Sequence, residues 1–138
     1  MTVKVVYYSK GGNTEKLARA VAKGAGAIAE SAASAAITEP VDLLFIGAAI
    51  YAGNIDKQMG AFLDGLDPTL VKRAAIFGNA FREVDVQGRV SARLEPKGIA
   101  VEQTSFFCRG SFLLANRGRP NDDDLREAEA FAAGLVRG

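Results

Sequence analysis

Apolar and polar positions along this chain alternate between two periods. Four runs are apolar almost throughout: Val3 to Tyr8, Leu43 to Ala48, Ala74 to Gly78 and Ile99 to Phe107. Unbroken apolar runs of that length read as strands covered on both faces. Between them the spacing turns helical. Leu17, Val21 with Ala18, Ala22 and Ala25 make one stripe, and Met59, Phe62, Leu63 and Leu66 make a second, which Asp67-Pro68 should close. A third helix is expected from about Asp85 to Leu94, stopped by Pro96 and Gly98. The last has Asn121 as its cap, three aspartates at its positive end, and a buried stripe of Leu125, Ala128, Phe131, Ala132 and Leu135.

Strands alternating with helices predict a parallel sheet with helices on both faces. The stretch 24–40 is rich in alanine and suits helix, loop or strand about equally. An alternating fold needs one more strand there, so an edge strand is expected near Ala27 to Ala32. No repeat or compositional break divides the chain, and residues 1–138 are read as one domain.

Composition narrows the function. The chain has 138 residues, of which 49% are hydrophobic, and no apolar stretch long enough for a membrane span. Its 17 basic and 16 acidic residues form no run of one sign, which argues against nucleic acid as a partner. Strand residues begin just after Met1, so no signal peptide is expected, and a reducing cytoplasm is the expected compartment. With one cysteine, Cys108, and no histidine, there is no internal disulfide and no zinc site of Cys and His. Cys108 reads as an inert thiol at a strand end.

The chemistry is expected in the loops that follow the strands, where an open α/β sheet binds its ligands. The first of these, Ser9 to Thr14, reads SKGGNT and precedes a helical pattern beginning at Glu15. Small residues there let successive backbone N–H groups turn inward, and the helix adds the positive end of its dipole, so the loop is a phosphate cradle candidate. Asn13 would cap the helix or donate to phosphate, Ser9 and Thr14 would add hydroxyls, and Lys10 would pair with phosphate or extend into solvent. The second loop is AIYAGNID, Ala49 to Asp56, the third NAFREV, Asn79 to Val84, and the fourth CRGS, Cys108 to Ser111. Tyr51 and Phe81 are either core aromatics or walls for a flat ligand.

Other phosphate chemistries lack their residues. The GxGxxA match at Gly24 to Ala29 trails a helix instead of linking a strand to one, and no GxxxxGK[ST] occurs. Ser9 and Lys10 stand where a phosphoacceptor receiver needs acids, and no arginine follows Cys108 at the spacing of a cysteine phosphatase.

Taken in order, SKGGNT, VDLLFIGAAIYAG, FGNAF and GRPNDDDLREAEAFA resemble the successive motifs of the short-chain flavodoxin family across nearly the whole chain. The resemblance implies an α/β, flavodoxin-like doubly wound parallel sheet of order 2-1-3-4-5, with helices on both faces. It also implies noncovalent flavin mononucleotide (FMN). Ser9, Lys10, Gly11, Gly12, Asn13 and Thr14 inherit the phosphate role; Ala49, Ile50, Tyr51, Ala52 and Gly53, with Gly78, Asn79, Ala80 and Phe81, inherit the ring. Gly53 would let a peptide beside ring N5 flip between redox states. Arg82 stands next to the ring loop and reads as a solvated arginine. Gly11 replaces a threonine found in many such loops, and the near-neutral charge lacks the acidic excess of typical members. The chain also lacks the long insertion of long-chain members and has no room for a nicotinamide-binding domain.

The implied function is an electron carrier between redox partner proteins, with no catalytic acid or base and no metal. The alternatives are an FMN-dependent oxidoreductase of the same fold, such as a quinone reductase or protoporphyrinogen oxidase, and a flavin-free docking module. The partner and the oligomeric state are left open.

Overall fold

The computed structural model of the chain describes residues 1–51, 54–79, 86–108 and 120–137. In chain order its elements are β1 (Val3–Tyr7), α1 (Asn13–Ala25), β2 (Ala29–Ser31), β3 (Leu43–Tyr51), β4 (Asn54–Ile55), α2 (Lys57–Asp64), β5 (Arg73–Asn79), α3 (Val86–Leu94), a 3-10 turn (Glu95–Lys97), β6 (Ala100–Val101), β7 (Phe106–Cys108) and α4 (Asp122–Arg137). The parallel ladder runs β2-β1-β3-β5-β6, with β7 also on β5 and β4 folded back on the end of β3. With β6 and β7 taken as two pieces of one edge strand, this is the expected doubly wound order. Strand order reverses between β1 and β3, the place where such sheets hold ligands.

Alternation along the central strands sorts the core into two layers. Val5, Leu43, Phe45, Ala75 and Phe77 face α1 and α4, where Leu17, Val21, Ala128 and Ala132 meet them. Val6, Leu44, Ile46, Ala48, Ala74 and Ile76 face α2 and α3, against Met59, Leu63, Val90 and Leu94. Leu17, Val21, Phe45 and Phe77 are wholly buried, and truncating a side chain such as Leu17 to alanine should cost about 2–5 kcal/mol. On the first face Phe131 of α4 stacks edge-on to Phe45, centroids 5.8 Å apart, and lies 6.1 Å from Phe106 of the sheet edge.

Several boundaries differ from the expectation. The edge strand near Ala27 to Ala32 is real but short, Ala29–Ser31, paired from Val5↔Ala29 to Tyr7↔Ser31. The helix α2 stops at Asp64 because Gly65 takes the cap, so Leu66 is buried by the turn that follows and not by the helix. Asp67, expected at the helix end, accepts instead from the Thr69 N–H at 2.9 Å in the next turn.

The largest correction is the run Ile99 to Phe107, which is two strands. Val101 pairs with Ala74 and Phe106 with Phe77, so Glu102, Gln103, Thr104 and Ser105 stand opposite just Ala75 and Ile76. A polar stretch has no place between two helix layers and bulges outward. Glu102 is held there by an ion pair with Arg73, and its carbonyl accepts from Gln87 Nε2 at 3.2 Å.

Candidate functional site

The carboxyl ends of β1, β3 and β5 converge at the reversal point, with Tyr7 beside Gly47, Ala48 beside Gly78 and Ala49 beside Asn79. Of the expected site residues, Ser9, Lys10, Gly11 and Gly12 form the loop after β1, Asn13 and Thr14 open α1, Ala49, Ile50 and Tyr51 end β3, and Gly78 and Asn79 end β5. Ala52, Gly53, Ala80 and Phe81 lie outside the described residues, as do Arg82, Asp85 and 109–111.

The loop after β1 is built around a left-handed glycine. Gly12 has φ of 88° and serves as the N-cap of α1, a conformation that costs any residue with a Cβ about 1–2 kcal/mol. This corrects two expectations together. The helix starts at Asn13 and not at Glu15, and Asn13 is its first residue and not its cap. A glycine cap has no side chain to accept from the first-turn N–H groups. The Gly12 N–H itself donates to Ser9 Oγ at 2.9 Å, which closes the loop and leaves the Ser9 hydroxyl its own hydrogen to donate. Among the described residues, a Cβ on Gly11 or Gly12 would meet nothing within 4 Å.

Thr14 points the other way. It is buried, and its hydroxyl donates to Oδ1 of Asn79, itself 9% exposed at the end of β5. The bond joins residues far apart in the chain, and the spacing of neither residue signals it. Asn79 was expected beside the ring; the structure turns it toward α1.

Lys10 also crosses between loops. Its ammonium lies 3.5 Å from Asp56 Oδ2, and the same carboxylate caps α2 by accepting from the Gln58 N–H at 2.8 Å. Asp56 was read as the end of a loop, with no role given to it. An aspartate just before a helical stripe is the signal that could have marked it as a cap.

Between the loops, the chain after Ala49 does not leave the sheet. Strand β3 continues through Ile50 and Tyr51, whose backbones pair with Ile55 and Asn54 of β4. The expected loop Ala49 to Asp56 is thus largely a short hairpin. Gly78 is small for an internal reason, because a Cβ there would strike the carbonyl of Ala48 on the neighbouring strand. Cys108 ends β7 and is half-buried, at the strand end where it was expected.

No protein-family model matches the chain. Among solved structures, a flavodoxin from the Archaea superposes with a TM-score of 0.81 at 18% identity, covering 99% of this chain and 97% of its own. A Streptococcus pneumoniae flavodoxin gives 0.75 at 17% identity over 99% of each chain. The flavodiiron core of Flv1 from Synechocystis gives 0.77 at 16%, this chain spanning 35% of it. By fold the chain is flavodoxin-like. It belongs to the same family as uncharacterized protein MJ0298 of Methanocaldococcus jannaschii, to which it is 30% identical over 138 residues, 91% of each chain. No helix among the described residues is long and apolar enough to cross a membrane.

Proposed function

We propose that this chain is a single-domain carrier that binds FMN noncovalently at the reversal point of its sheet and exchanges electrons with protein partners in the cytoplasm. The observation that carries the reading is the start of α1. It sits beside the reversal point, is capped by a glycine with no described neighbour within 4 Å of a built Cβ, and has a serine hydroxyl next to it with a hydrogen to donate. A phosphate dianion needs that donor set, and the helix dipole favours it there by roughly 0.3–1 kcal/mol, with the N–H hydrogen bonds in addition. The fold neighbours that are flavodoxins support the choice of ligand.

The phosphate contacts are assigned to Ser9, Lys10, Gly11, Gly12, Asn13 and Thr14. Ala49 to Gly53, with Gly78, Ala80 and Phe81, are assigned to the ring, next to the carboxyl ends of β3 and β5. Bound flavin supplies the electron-accepting ring. The chain's own residues hold the phosphate, orient the ring and limit water at it.

The test is flavin fluorescence on flavin-free protein, titrated with FMN and separately with riboflavin. Tight quenching of FMN with much weaker quenching of riboflavin is expected. A folded protein that quenches neither would refute the reading.

A further inference from the structure

We infer that Asn79 is a positioning residue for phosphate, acting through Thr14, and not a ring contact. The inference rests on the FMN reading above and concerns how the site distinguishes a phosphorylated flavin from a plain one.

A threonine hydroxyl has one hydrogen and two lone pairs. In the structure that hydrogen goes to Asn79 Oδ1, so Thr14 can accept from another group but has nothing to donate to an anion. Ser9 differs, since its oxygen accepts from Gly12 and its hydrogen remains for a ligand. Thr14 is 1% exposed and Asn79 9%, so water does not replace the bond between them cheaply.

A primary amide carries an acceptor on one edge and donors on the other. If the Asn79 amide turns over, Nδ2 donates to Thr14 Oγ1 and the hydroxyl hydrogen is released toward the helix start. Both arrangements keep the buried pair hydrogen-bonded. The amide therefore sets whether Thr14 faces the α1 terminus as acceptor or as donor, and an arriving phosphate selects the donor form. An aspartate lacks the donor edge, so an amide at position 79 is what makes the turn available.

The experiment measures the affinity of flavin-free protein for FMN and for riboflavin in the wild type, Asn79→Asp, Thr14→Val and the double variant. Ring contacts cancel in the ratio of the two affinities. Asn79→Asp holds the Thr14 hydroxyl permanently and adds a negative charge near the phosphate, so it should lower the preference for FMN about 100-fold, about tenfold from each cause, whereas Thr14→Val should lower it about tenfold. In the double variant the hydroxyl is lost once and the charge remains, so its preference should stay within about twofold of Asn79→Asp alone, whereas independent effects would multiply to about 1000-fold.

A wild type that prefers FMN, with Asn79→Asp leaving that preference unchanged or with losses that multiply in the double variant, would overturn this inference alone. A wild type that binds the two flavins equally would remove the FMN reading and this inference with it. Independently of any variant, the side-chain amide resonances of Asn79 in flavin-free wild type should shift with inorganic phosphate. An Asn79 amide that stays in place while the Gly12 N–H shifts would also overturn it.

Discussion

Helices α1 and α4 begin in opposite ways. At α4, the Asp124 N–H donates to Asn121 Oδ1 at 2.9 Å while the Asn121 N–H donates to Asp124 Oδ2 at 2.8 Å, a reciprocal capping box. Asp122 and Asp123 add charge to the same first turn. At α1, a glycine stands at the cap, and the one first-turn acid, Glu15, is engaged by Arg19 at 2.6 Å. Both termini carry the same partial positive charge from aligned peptides. The α4 terminus is capped by side chains of its own first turn, whereas the α1 terminus, at the sheet reversal, has no side-chain hydrogen bond from its cap residue. Glycine at the cap of α1 gives up only a few tenths of a kcal/mol of capping, so stability alone does not oppose it there.

The contrast can be broken most forcefully from beneath. Gly78→Ala drives a methyl into the Ala48 carbonyl, separating β3 from β5 under the mouth. It should cost about 3 kcal/mol in chemical denaturation, with FMN binding lost along with the fold. Next in size is Gly12→Asp, which supplies α1 with a carboxylate of its own. Left-handed strain and the favourable dipole roughly offset each other, so stability should change by less than about 1 kcal/mol. FMN affinity should fall about 100-fold or more through charge repulsion, read by the same fluorescence titration. The mirror change, Asn121→Ala, opens α4: about 1 kcal/mol and roughly 3–5 °C of melting temperature should be lost, with FMN affinity unaltered.

Two smaller effects complete the series. Lys10 is more than half exposed and its pair with Asp56 is accordingly weak. Lys10→Ala should reduce FMN affinity about two- to threefold at low salt and negligibly at 1 M salt. Far from the mouth, the Thr69 hydroxyl and N–H hold the Asp67 carboxyl below its ordinary value. The stabilisation from that turn is complete above the ordinary carboxylate pKa and is lost as pH falls through the folded one. Asp67→Asn should therefore narrow the small stability gap between neutral and acidic pH without touching the mouth, as measured by urea melts across that range.

The two helix starts also show what was legible in the sequence. Asn121 could be read as a cap because Asx before a helical stripe has a local cause. Its partner Asp124 was also local, three residues on, and had been counted just as a charge. At α1 the same rule misled, favouring Asn13 over Gly12, because a glycine cap is set by the left-handed turn that the loop must make. The central strands were plain since burial on both faces leaves an unbroken apolar run. Strand β2 was not, as its alanine-rich segment becomes a strand by pairing with β1. The break between β6 and β7 does carry a signal, since the polar residues Glu102 to Ser105 interrupt the apolar run Ile99 to Phe107. Nothing local could have linked Thr14 to Asn79, since the fold alone brings them together.

The most direct measurement is of backbone amide shifts in flavin-free protein as FMN is added. The account predicts large shifts at Gly11, Gly12, Asn13 and Thr14 and none at Asp122, Asp123 and Asp124. Unmoved amides at the α1 start while FMN binds elsewhere would contradict it.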